Sequence, residues 1–197
     1  MNKAVFIDKD GTLIPDIPYN VQPELITLER GVTEGLQLLV GQGYLVVIIS
    51  NQSGVARGYF KEDALQPVKE KITALLQQEG ISLQGFYYCP HHPEGKVVLY
   101  ALDCHCRKPA PGLILQAAAD LDIDLHASWM IGDILNDVEA GNRAGCHTVL
   151  INNGNETEWN SGAYRAPHII AASVAEAAAL ICKGSTAKQE PHGKELV

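Results

Sequence analysis

The sequence predicts an α/β fold in which a parallel sheet is covered by helices on both faces. Three observations lead there. Short β-branched apolar runs alternate along the chain with stretches of helical periodicity. The runs are apolar at nearly every position instead of alternating, as strands buried on both faces are. Three of them stop at polar residues, which suits a sheet whose ligand crevice opens beyond the carboxyl ends of its strands.

Each element follows from its residues. Ala4-Val5-Phe6-Ile7 is a short apolar strand ended by Asp8. Residues 14–23 hold three prolines and no period, so they form a surface loop. Val32, Leu36, Leu39 and Val40 set a helical spacing over 32–42, closed by Gly41 and Gly43. The run 44–49 is a second strand, stopped at Ser50-Asn51-Gln52-Ser53-Gly54. A helix over 61–79 carries the stripe Leu65, Val68, Ile72, Leu75 and Leu76, with Gly80 at its C-terminus. Strands follow at 85–88, 128–131 and 147–151, and helices at 113–121, 137–144 and 174–181. One domain is expected over 1–183, with a polar, frayed tail over 184–197.

Composition narrows the function. The chain has 197 residues, 46% of them hydrophobic and 19% charged, the balance of a soluble globular protein. A net charge of −8 argues against non-specific nucleic-acid binding, since phosphate backbones attract basic surfaces. A small anionic substrate stays compatible through a local cluster of Arg and Lys. No run of eighteen apolar residues occurs, and the apolar N-terminal run is cut short by Asp8 and Asp10. A cytoplasmic, monomeric protein with no membrane partner is therefore expected. Five cysteines, three of them within residues 89–106, suit metal ligation better than a disulfide frame.

Asp8-Lys9-Asp10-Gly11-Thr12 places two carboxylates two residues apart just past a strand. One can attack phosphorus while the other handles protons. Their mutual repulsion is most simply relieved by a divalent cation, and oxygen ligands favour Mg²⁺. Gly132-Asp133 and Asp137 add carboxylates at i, i+4 spacing. In isolation such a pair is a helix cap and a solvated acid. The strand context and the joint occurrence of the pieces make it a candidate site.

Asp8-Lys9-Asp10-Gly11-Thr12, Ser50-Asn51, Lys108, and Gly132-Asp133 with Asp137 resemble the four motifs of the haloacid dehalogenase (HAD) superfamily, in order, over residues 4–155. The resemblance implies a Rossmann-like sheet, aspartyl-phosphate chemistry and a Mg²⁺ requirement. An acid at Asp10 resembles the phosphatase branch. By this resemblance Asp8 is the nucleophile and Asp10 the general acid and then base, its backbone carbonyl also facing Mg²⁺. Ser50 bonds a phosphoryl oxygen, Lys108 screens charge beside Asp8, and Asp133 completes the metal shell. Asp137 is either an orienter or a minor ligand.

Cys89-Pro90-His91-His92 and Cys104-His105-Cys106 present two pairs of soft ligands fifteen residues apart, the pattern of a structural Zn²⁺ site. The candidate ligands are Cys89, His91, Cys104 and Cys106, with His92 and His105 as competitors. Cys146 and Cys182 are expected in the core. The second arm runs into Arg107-Lys108, so zinc would fix two cations relative to the nucleophile.

The strings 50–58, 89–95 and 106–109 resemble the branch acting on a bisphosphorylated heptose, which implies a role in making surface-polysaccharide precursors. Histidinol-phosphate phosphatases share the zinc loop but generally lack the Ala56-Arg57-Gly58 run, and are the alternative. The expected contacts are Arg57, Arg107 and Lys108 for a second phosphate, and Asn51, Gln52 and Ser53 for sugar hydroxyls. No cap-sized insertion is evident. Ile134 departs from the branch, which commonly has a basic residue there.

Overall fold

The computed structural model describes residues 1–186. Strand β1 (Lys3–Ile7) is followed by helix α1 (Val32–Gly41), strand β2 (Tyr44–Asn51), a short helix α2 (Gly54–Arg57) and helix α3 (Leu65–Gln78). Then come β3 (Leu83–Cys89), α4 (Gly112–Asp120), β4 (Trp129–Gly132), α5 (Leu135–Ala144), β5 (His147–Ile151), β6 (Ile169–Ala171) and α6 (Val174–Thr186). The strands form one sheet in the order β3-β2-β1-β4-β5-β6. Every pairing is parallel, with Phe6 opposite both Val47 and Met130.

Both faces are apolar, and the pleat assigns alternate residues to each. Val5, Ile7, Val46, Ile48, Ile131 and Val149 pack under α1, α3 and α6. Ala4, Phe6, Val47, Ile49 and Met130 pack against α4 and α5. This two-sided burial is why the strands read as unbroken apolar runs. A Cβ on Gly35 of α1 would stand 2.6 Å from the Val174 carbonyl of α6, so only glycine permits that close crossing.

Several boundaries differ from the sequence-based expectations. β6 and α2 were not anticipated, because three and four residues are too few to show a period. α3 begins at Leu65, after a 3-10 turn at Glu62–Ala64, not at residue 61. α5 begins at Leu135, not 137, so Asp133 lies in the loop before the helix and Ile134 occupies its N-cap. α6 runs through residue 184, where the tail was expected to start, and residues 187–197 lie outside the described part. No described helix is long and apolar enough to cross a membrane.

The strand order decides where a site can form. β1 lies between β2 and β4, and the chain crosses the sheet in opposite directions from it, a topological switch point. The carboxyl ends of β3, β2, β1, β4 and β5 stand side by side. They deliver Cys89, Ser50, Asp8, Asp133 and the 152–155 turn to one rim.

Candidate active site

Asp8 sits one residue past β1, its N–H bonded to the Ile131 carbonyl of β4 at 2.9 Å. Gly11, at φ +82°, turns the chain back sharply. A Cβ there would stand 2.2 Å from Asp133 Oδ2 and 2.5 Å from Asn155 Nδ2, so the glycine makes room for both side chains. Asp8, Asp133 and Asp137 are buried, and each offers a carboxylate oxygen within 4.8 Å of the others. Residues 125 positions apart in the chain thus meet on one rim.

Lys108 is buried among them. Its ammonium donates to Asp8 Oδ1 and to the Ile49 carbonyl at 3.0 Å. It also lies 2.6 Å from Asp137 Oδ1, an ion pair without the alignment of a hydrogen bond. Asn51 straps the same residue in place: its Oδ1 accepts from Lys108 N at 3.0 Å and its Nδ2 donates to Lys108 O at 3.1 Å. Asn51 is therefore held by the main chain of Lys108, at the border of the cavities beside Asp10.

Electrostatics follow from burial. Desolvation pushes the Asp8 carboxyl up to about 7; Lys108 pulls against it, while Asp137 and Asp10 push further. Desolvation and the Asp8 charge raise Asp133 to about 6 against hydrogen bonds from Asn155 and Thr12. Asp137 is raised by burial too, with Lys108 opposing. Burial pulls the Lys108 ammonium down, but Asp137 and Asp8 outweigh it and raise it overall. Three carboxylates against one ammonium leave two negative charges in a buried cluster of hard oxygen donors. That donor set fits a divalent cation such as Mg²⁺.

Asp10 is not brought into this cluster. Its Oδ1 meets the buried Lys9 ammonium at 2.5 Å and its Oδ2 accepts from Gln52 Nε2 at 3.1 Å. Gln52 Nε2 also donates to Ser50 Oγ at 2.7 Å, leaving the Ser50 proton to donate elsewhere. Gln52 thus bridges Ser50 and Asp10 while lining the cavity beside them. Ser53 does line a cavity of ≈ 270 Å³ with Asp10, Asp16 and Tyr19. A second cavity of ≈ 220 Å³, lined by Asp8, Asp10, Lys108, Asp133, Ile134 and Asn155, holds the reacting carboxylates. Asp10 and Asn51 border both.

The cysteine loop stands at the end of β3. The Cys89, Cys104 and Cys106 sulfurs lie 3.2–3.5 Å apart, and His91 Nδ1 is 3.6 Å from Cys89 Sγ and 3.3 Å from Cys106 Sγ. A tetrahedron of ligands about 2.3 Å from zinc has edges of roughly 3.8 Å, so a small expansion would admit the ion. Burial and a hydrogen bond from Cys106 raise the Cys89 thiol strongly, while the hydrogen bonds of Cys106 and Cys89 outweigh desolvation to lower Cys104. Of the competing histidines, His92 Nε2 lies 3.0 Å from Arg57 Nη2, and His105 is outside the cluster. Cys146 is buried, and Cys182 packs at the edge of the core.

Arg57 and Arg107 face each other across the loop. Burial lowers the Arg107 guanidinium, and Arg57 lowers it further. Arg57 Nε is buried with no hydrogen-bond partner among the described residues. Arg107 Nη1 reaches the His91 carbonyl at 3.4 Å.

The sequence reading missed Thr12, Asn153 and Asn155 as site residues. Thr12 Oγ1 and Asn155 Nδ2 donate to the two oxygens of Asp133, and Asn153 Nδ2 donates to the Gly11 carbonyl. The signal was present: Asn152-Asn153-Gly154-Asn155 follows a predicted strand just as Asp8 and Asp133 do.

The fold and this rim define a phosphoryl-transfer hydrolase of the HAD type. A family model described as HAD-hydrolase-like matches residues 105–177. A D-glycero-beta-D-manno-heptose-1,7-bisphosphate 7-phosphatase of Pasteurella multocida is 46% identical over 155 residues, covering 78% of this chain and 84% of that relative. The enzyme of the same name from Photorhabdus laumondii is 40% identical over 174 residues, covering 88% and 92%. The solved structure of D,D-heptose 1,7-bisphosphate phosphatase from B. bronchiseptica, complexed with magnesium and phosphate, superposes with a TM-score of 0.78 at 29% identity. It covers 92% of this chain and 99% of that one. The chain belongs to this family of HAD phosphatases.

Proposed function

We propose that the chain is a Mg²⁺-dependent phosphomonoesterase that removes the C7 phosphate of D-glycero-D-manno-heptose 1,7-bisphosphate, acting as a monomer through an aspartyl phosphate on Asp8. The observation that carries the chemistry is the buried Asp8–Lys108–Asp137 arrangement beside Asp133. The names of the relatives support the substrate.

Asp8, Asp133 and the Asp10 backbone carbonyl would hold Mg²⁺, which supplies charge neutralisation at the phosphoryl oxygens. Lys108 keeps Asp8 ionised and aimed, while Ser50 donates to a phosphoryl oxygen. The Asp8 carboxylate attacks phosphorus and the bond from phosphorus to the sugar oxygen breaks. Asp10 gives its proton to that leaving oxygen. A water then attacks the acyl phosphate and loses its proton to Asp10, which releases inorganic phosphate and restores Asp8. The paired guanidiniums, with the unpartnered Arg57 Nε, suit the second phosphate of the substrate. Lys108 is buried against Asp8 and Asp137, so that contact is assigned to Arg57 and Arg107. Cys89, His91, Cys104 and Cys106 would hold a structural Zn²⁺ that fixes Arg107 and the loop next to Arg57.

Phosphate release from the heptose bisphosphate and from histidinol phosphate, measured side by side with Mg²⁺, tests the substrate. The heptose is expected to be favoured by about 100-fold or more in kcat/KM. A preference for histidinol phosphate would overturn that half. Asp8→Asn is expected to lose activity by roughly 10⁴-fold or more. If it turned over like the wild type, the nucleophile would lie elsewhere.

A further inference from the structure

Residues 153–156 belong to none of the four motifs, yet they tie two of them together. Asn153 Nδ2 donates to the Gly11 carbonyl at 2.7 Å, in the turn after β1. Asn155 Nδ2 donates to Asp133 Oδ2 at 2.7 Å, just past β4. Glu156 Oε2 accepts from Leu135 N at 2.6 Å, at the first turn of α5. The turn that leaves β5 therefore closes over the rim from the side opposite Lys108.

Asp133 is the carboxylate that this turn governs. Lys108 pairs with Asp8 and Asp137, so no cation among the described residues holds Asp133. Its orientation rests on neutral donors: Thr12 Oγ1 to Oδ1 at 3.1 Å and Asn155 Nδ2 to Oδ2 at 2.7 Å. One donor per oxygen fixes the carboxylate plane and leaves lone pairs on both oxygens. The missing Cβ of Gly11 is what lets the Asn155 amide approach. A neutral amide is well suited here, because it orients the carboxylate without cancelling the charge a divalent cation needs.

Taking the divalent-cation reading of the cluster as its basis, we propose that Asn155 is a positioning residue that sets Mg²⁺ affinity by orienting Asp133. The amide acts through the carboxylate it bonds. Asn155 is exposed, so removing it leaves the core intact.

The test is a Mg²⁺ titration of the whole chain, followed by thermal shift and by calorimetry, on wild type, Asn155→Ala and the nearly isosteric Asn155→Leu. Both variants are expected to need about tenfold more Mg²⁺ at the midpoint, with metal-free Tm unchanged, as for other outer-shell partners of metal ligands. A midpoint equal to the wild type in whichever variant folds would overturn the role of Asn155 and leave the Mg²⁺ reading standing. A Tm loss equal in size with and without Mg²⁺ would show a structural role and overturn it too. A wild type that gains no Tm from Mg²⁺ would defeat the cation reading itself, and this inference with it.

Discussion

The oxygen cluster and the sulfur cluster are built in contrasting ways. The oxygen ligands come from residues 8, 133 and 137, carried by the ends of two neighbouring strands and the first turn of a helix. Their backbones are fixed by the sheet, and Lys108 stands among them as a resident cation. The sulfur cluster draws on residues 89–106, mostly on an irregular loop, and no lysine ion pair enters it among the described residues. Burial raises the Cys89 and Cys106 thiols, while hydrogen bonds from those two lower Cys104. A site assembled by the sheet keeps its shape before the metal arrives, whereas a site assembled by a loop takes its shape from the metal.

The largest effect should come from removing the resident cation. Lys108→Met leaves Asp8 and Asp137 buried without their partner, which typically costs about 3–5 kcal/mol. The variant is expected to lose activity by at least roughly 10³-fold, and denaturant unfolding at neutral pH should show the destabilisation. A folded, active Lys108→Met would mean that the oxygen cluster does not depend on its ammonium.

A smaller effect is expected at the loop. Cys104→Ser should lower bound zinc, measured by atomic absorption, and raise KM by about tenfold, with kcat changed by less than about threefold. The sulfur cluster meets Arg107 through the His91 carbonyl and stands apart from the Asp8, Asp133 and Asp137 group, so the split between KM and kcat sharpens the contrast. Equal losses in kcat and KM would break it.

The smallest effect is a pH dependence of metal binding. Burial pushes the Asp8 and Asp133 carboxyls up to about 7 and about 6, from an ordinary 3.8. Between roughly pH 4 and pH 7 the metal-free folded chain therefore binds more protons than the unfolded one. Its stability falls as pH rises through that window. Mg²⁺ displaces those protons, so its Tm gain should be a few degrees larger at about pH 8 than at about pH 5.5. Calorimetry near pH 6.5 in two buffers should show proton release. A Tm gain independent of pH would show that the acids are already ionised without metal.

The sequence was a good guide wherever a residue's task follows from its place on an element. Asp8, Asp133 and Ser50 each follow a run whose continuous apolarity requires burial, so their arrival at one rim was readable. The gathering of Cys89, His91, Cys104 and Cys106 was readable because their spacing is local. Asn51 and Gln52 carry bracing contacts, to the Lys108 main chain and to Asp10 and Ser50, that the sequence did not announce, because a polar residue past a strand can face a ligand, brace a neighbour, or do both. Asn155 went unread because its partner lies 22 positions away.

What the sequence determined by itself is the set of elements and the end of the sheet that carries the chemistry, because hydrophobic periodicity and turn residues act locally. Tertiary structure alone decided which carboxylate Lys108 pairs with and that the Asp10 side chain stands outside the cluster. It also decided that an asparagine turn closes over the rim. Those outcomes depend on strand order and on the competition of neighbouring charges for one buried ammonium, and both exist only once the chain has folded.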